Sequence, residues 1–139
     1  MRIETSIVGF YTVIIAFFIS FFIPNTNEYK TFLIFLFILG FLKHFLGYWL
    51  QLQTLYCNYG IACKREKNKQ TTTHWKAKEP SFIENIGEGI LFVMVGFLIK
   101  KIFHIHNIYL ISFFIGLFTH LIFELLGFHA FFCKNRCFI

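Results

Sequence analysis

Charge is scarce in this chain: Asp, Glu, Lys and Arg make up 14% of 139 residues, while apolar types make up 57%. A soluble helix keeps one face polar for water, so this composition excludes an ordinary soluble globule and points to lipid. Familiar motifs are missing as well. There is no glycine-rich phosphate loop, no Ser-His-Asp arrangement, no H-E-x-x-H pair and no potassium-filter signature. The spacings Cys57 to Cys63 and Cys133 to Cys137 are not the C-x-x-C of a thiol oxidoreductase, and they are looser than the knuckles of a structural zinc site. These absences lean away from an enzyme.

What the chain does have is long apolar runs. A bilayer core needs about 20 such residues per helix, and four runs qualify: Ile7 to Ile23, Phe32 to Leu52, Ser81 to Phe103 and Ile108 to Phe128. The fold class they predict is all-α, an integral membrane four-helix bundle. The first run ends in Phe-Phe-Ile-Pro rather than in small residues suited to signal peptidase, so it reads as a retained signal-anchor. Four spans place both termini and the 53–80 loop on one face. That face carries Arg2, Lys64, Arg65, Lys67, Lys69, Lys76, Lys78, Lys134 and Arg136, against Lys30, Lys100 and Lys101 on the other. The excess of basic residues makes it the cytoplasmic face. Its basic loop lacks the interleaved aromatics of a single-strand nucleic-acid surface and suits anionic headgroups instead. The expected partners are the lipid bilayer and other membrane subunits or further copies of the chain, with no nucleic acid.

The runs also resemble each other. Phe37, Gly40, His44 and Cys57 match Phe113, Gly116, His120 and Cys133 at one offset of 76, and Ile3, Glu4, Gly9 and Phe17 match Ile83, Glu84, Gly89 and Phe97 at 80. This predicts two tandem transmembrane hairpins in parallel orientation, an internal repeat about an axis along the membrane normal. The organisation is then 1–57 first hairpin, 58–80 polar loop, 81–133 second hairpin and 134–139 a short cysteine-containing tail. Ser81 with Glu84 three residues on reads as a capping box, and Glu4 takes the same capping explanation; Glu88, a turn deeper, is less easily dismissed.

Ionisable groups inside an apolar run must face protein and pair. Gly40, His44, Tyr48 and Gln51 share one helix face, as do Ser112, Gly116, His120, Glu124 and Gly127. With small residues allowing close approach, the second and fourth spans are expected to pack on each other and Lys43 to pair with Glu124. The cluster Lys43, His44, His120 and Glu124 has three readings. It is buried glue between hairpins, a proton or ion path, or a site where His44 and His120 bind haem or a metal axially. No catalytic residue, cofactor or metal ligand is assigned, with haem or zinc as the remaining alternatives. Cys57, Cys63, Cys133 and Cys137 all fall on the basic face, as two disulfides, free thiols or a zinc site, and disulfides conflict with a cytoplasmic placement. Tyr48, Trp49, Tyr56, Tyr59 and Trp75 are expected to form an aromatic belt there, and His104-Ile-His106 to be a solvated pair. The leading function is a structural or assembly subunit of a larger membrane complex or a virion membrane; the alternatives are a small channel or proton-coupled carrier, and a bis-His haem or metal protein.

Overall fold

The structure is a computed structural model and describes residues 2–67 and 76–138. Of the basic loop, Lys69, His74 and Trp75 lie outside the described residues, as do the side chains of Arg2 and Lys67. Among the described residues seven helices and two short strands follow one another: α1 Arg2–Ser20, α2 Tyr29–Trp49, α3 Leu52–Tyr59, α4 Ile61–Lys67, β1 Lys76–Ala77, α5 Phe82–Phe103, α6 Ile108–Leu125, α7 Phe128–Arg136 and β2 Cys137–Phe138. The chain is all-helical, and α1, α2, α5 and α6 are each long and apolar enough to cross a membrane. These four coincide with the four apolar runs, with shifted ends.

The ends have local causes. α1 begins five residues before the expected start and stops short of Pro24, whose ring removes a donor and restricts Ile23 before it. α2 closes at Trp49, where Gln51 turns left-handed at φ 60°, and α6 closes at Leu125, where Gly127 does the same at φ 77°. The chain restarts at once as the short helices α3 and α7. α5 opens on the expected capping box, with Ser81 Oγ accepting from Glu84 N and the Glu84 carboxylate accepting from Ser81 N. Asn107 caps α6 by accepting from the Tyr109 and Leu110 amides. Hydroxyls within the apolar helices bond back along their own helix: Thr12 donates to Val8 O, Ser112 to Ile108 O and Thr119 to Ile115 O. Each therefore needs no partner across the interface.

Packing departs from expectation. α2 lies along α5 and α1 along α6, so the expected pairing of the second apolar helix with the fourth is not the main interface of either. The glycines explain the difference. A Cβ on Gly40 would come within 2.6 Å of Glu88 O and 2.9 Å of Gly89 Cα, both on α5. A Cβ on Gly116 would stand 3.1 Å from Val8 O and collide with the Thr12 side chain, both on α1. Gly89 receives Phe37 and Gly9 receives Phe113 in the same way. Small residues thus bring each second helix onto a first helix, not onto the other second helix. Phe32, Phe35, Leu36, Leu39, Phe92, Ile111 and Ile115 fill the centre between them.

Gly40→Ala pushes α2 off α5 and is expected to lose about 2 kcal/mol through overpacking. Gly87 is exposed with nothing near its missing Cβ, so Gly87→Ala gains about 0.5 kcal/mol of helix propensity. Unfolding midpoints of the two variants in one detergent check the contrast.

A second, smaller core sits at one end of the long helices. Cys57, Ala62, Cys63, Ala77, Cys133 and Cys137 are buried together, with Tyr56 and Phe132 against them. β1 pairs antiparallel with β2, Lys78 N donates to Arg136 O, and Ala77 N donates to Thr54 Oγ1. Residues from both halves of the chain therefore make this cap.

Candidate functional site

Lys43 lies six residues before the end of α2, and Glu88 six after the start of α5. At 1.5 Å per residue both stand about 9 Å in from that end of their antiparallel helices. Lys43 Nζ reaches Glu88 Oε1 at 2.8 Å, with both side chains largely enclosed, and lies 5.1 Å over the Phe92 ring. The expected pairing of Lys43 with Glu124 is thus corrected. Lysine needed a carboxylate at its own depth on the helix it touches, and that helix is α5.

Glu124 lies at the end of α6 and pairs instead with His129 of α7, its Oε2 at 2.8 Å from Nδ1, across the left-handed turn at Gly127. His129 sets its ring against His120, tilted by 48° with centroids 4.3 Å apart, and Tyr56 closes the group at 5.4 Å from His129 and 6.3 Å from His120. Glu4 comes from α1, its Oε2 3.9 Å from His120 Nε2. Its other oxygen accepts from the amide of Ile61 at 2.8 Å. Ile61 is the first residue of α4, so Glu4, expected to cap its own helix, holds the first amide of α4.

The group made of Glu4, Tyr56, His120, Glu124 and His129 draws on α1, α3, α6 and α7. His44 is not part of it. That side chain is half-buried, the charges around it are Glu88, Lys43, Glu84 and Arg136, and its carbonyl accepts from Gln53. The two histidines expected to face each other stand on different interfaces. Arg136 pairs with the Glu84 carboxylate at the cap, adding a role to the capping box. Lys64, Arg65, Lys76 and Lys78 are exposed at this same end.

Two atoms in the group are buried without a hydrogen-bond partner among the described residues, His120 Nε2 and Tyr56 Oη. Tyr56 faces inward, against its expected place in an aromatic belt, whereas Trp49 and Tyr59 are exposed. Burial pushes the Tyr56 hydroxyl up from its usual range, and the Glu4 and Glu124 carboxylates push it further, so it stays neutral. Tyr56→Phe removes an unsatisfied hydroxyl and is expected to be neutral or stabilising by up to about 1 kcal/mol. Tyr56→Ala empties the space between the histidines and Phe132 and loses about 3 kcal/mol. Chemical denaturation in micelles separates the two.

Cys57 is bonded to Cys137 and Cys63 to Cys133, with Cα separations of 5.7 and 5.1 Å. Of the expected alternatives, the structure takes the two disulfides. They join α3 and α4, which follow α2, to α7 and β2, which follow α6.

Sequence reasoning missed His129 and the roles of Glu88 and Glu4. His129 followed a glycine turn outside any apolar run and carried no motif, whereas the equal depths of Lys43 and Glu88 were there to be counted.

The fold defines an all-helical chain with four apolar helices of membrane-spanning length, the signature of a multi-pass membrane protein. The chain matches no protein-family model, no curated protein and no solved structure.

Proposed function

We propose that the chain is a non-enzymatic structural subunit of a membrane assembly, built as two tandem copies of one transmembrane hairpin that clasp each other crosswise. The carrying observation is that its enclosed charges are matched inside the protein: Lys43 with Glu88, and Glu124 with His129. Groups held this way fix register between helices, which is what a scaffold needs. His44 has Glu88, Lys43, Glu84 and Arg136 around it, whereas His120 lies against His129, Tyr56 and Glu4, which weighs against a path or an axial ligand pair running between the two.

The repeat has its own support. Gly40 meets Glu88 and Phe92, while Gly116 meets Val8 and Thr12. Those partners are related by the offset of 80, and the glycines themselves by 76. Gly9 with Phe113 and Gly89 with Phe37 obey the same two offsets. The left-handed turns at Gln51 and Gly127 are 76 apart, as are the starts of α3 and α7. On this reading α1, α2, α5 and α6 span the bilayer, the cap and both ends of the chain share one face, and exposed residues such as Phe10, Phe18, Ile90 and Leu98 meet lipid or neighbouring subunits.

Reconstitution into liposomes tests the function. Proton and cation flux should equal that of protein-free vesicles across pH 5 to 8, about the range in which histidine titrates. A pH-dependent leak that His44→Ala and His120→Ala abolish would replace the scaffold with the carrier.

A further inference from the structure

The two disulfides stand against the charge distribution of the chain. Nine basic residues mark the cap side as cytoplasmic, where thiols are kept reduced. Yet the cap cannot hold without a staple, since four of the six residues in its core are the cysteines themselves. So few apolar side chains do not stabilise a fold alone, and small modules of this kind depend on disulfides or a metal.

The sulfurs are already gathered for the second solution. The Sγ atoms of Cys63, Cys133 and Cys137 lie within 4.8 Å of one another, and Cys57 is bonded to Cys137. Cys63 Sγ and Cys137 Sγ, which belong to different disulfides, are 3.9 Å apart. Zinc bound to four thiolates at about 2.3 Å sets its sulfurs about 3.8 Å apart, the edge of the tetrahedron. Cys57, Cys63 and Cys133 are fully buried and Cys137 nearly so, which keeps water from the metal. Charge is provided for as well. Lys64 follows Cys63, Lys134 follows Cys133 and Arg136 precedes Cys137. A zinc ion with four thiolates carries two net negative charges, and flanking cations stabilise both the thiolates and the filled site.

We propose that the cap is a two-state staple: two disulfides in an oxidising compartment, and one zinc ion held by Cys57, Cys63, Cys133 and Cys137 in a reducing one. In the conversion two molecules of a dithiol reductant each give two electrons and two protons to one disulfide and leave as cyclic disulfides. The four thiols so formed release four protons as they bind Zn²⁺. The positive-inside count and the cysteine cluster then agree. The inference stands apart from the scaffold reading, since the cap could be metallated in a carrier just as well.

The test uses the full chain in detergent micelles. The protein is reduced with a phosphine, freed of reductant without air and titrated with Co²⁺. The expected result is one Co²⁺ per chain with the thiolate-to-cobalt charge-transfer and tetrahedral ligand-field bands, full displacement by one equivalent of Zn²⁺, and no such bands from the oxidised protein. Cys133→Ser should weaken binding more than about 100-fold, beyond the loss that follows removal of an outer-shell partner, whereas His104→Ala with His106→Ala should not change it. Wild-type protein needs no variant to fold, and its own titration decides the matter. Reduced wild type that takes up no Co²⁺, or takes it up without sulfur bands, overturns the proposal. So does alkylation of its four thiols at the same rate with and without Zn²⁺.

Discussion

Glu88→Ala is expected to lose about 3–5 kcal/mol, because it leaves Lys43 enclosed without a counter-charge. Lys43→Met combined with Glu88→Leu should stay within about 1 kcal/mol of wild type or exceed it, since a buried pair replaced by apolar groups of similar volume sheds its desolvation penalty. The two side chains are 15% and 6% exposed, enough enclosure to make the single change far worse than the double. Glu124→Ala, by contrast, removes the partner of a histidine and not of an enclosed lysine, and should lose clearly less. Reversible unfolding in mixed micelles orders the three variants. Equal losses for Glu88→Ala and the double variant would remove the ion pair from the account of the α2 and α5 interface.

Removing both disulfides is the second large effect. Their sequence separations are 80 and 70, and the longer encloses the shorter. On the chain-entropy account either bond alone closes a loop worth about 4.5 kcal/mol, while the second closes only about a dozen further residues and adds about 3 kcal/mol. Cys57→Ala with Cys137→Ala should therefore lose about 3 kcal/mol, the Cys63 and Cys133 pair about the same, and all four together about 7 kcal/mol. The combined loss exceeds the sum of the parts because either bond already supplies about a third of what the other is worth alone. Guanidinium unfolding without reductant reads it. A combined loss no larger than one pair's would mean that the second bond does not form.

Four apolar helices were legible because hydropathy over about 20 residues leaves few alternatives. The capping box at Ser81 and Glu84 was legible because it is a local hydrogen-bond pattern. Pairing between helices was not. The spacing of Gly40 and Gly116 announced close approach, but a glycine says only that some backbone comes near, and the neighbour was assigned by matching like with like. Tyr56 misled for a similar reason, since tyrosine beside a span suits both a headgroup belt and a buried polar group. The second partner of Glu4 was out of reach of local capping rules, because the amide of Ile61 lies 57 residues away. His129 gave no signal at all, because its role depends on the turn at Gly127 bringing it back over the end of α6.

Cross-linking within the membrane tests most directly whether the hairpins clasp crosswise. Phe10 and Phe113 have ring centroids 5.2 Å apart between α1 and α6, and Phe41 and Phe82 are 5.7 Å apart between α2 and α5. With the native disulfides intact, Phe10→Cys with Phe113→Cys and Phe41→Cys with Phe82→Cys should each be joined within one chain by a short bifunctional thiol reagent, and His44→Cys with His120→Cys should not. Efficient joining of the histidine positions, with none at the two phenylalanine pairs, would mean that the second and fourth long helices face each other and that the crosswise clasp is wrong.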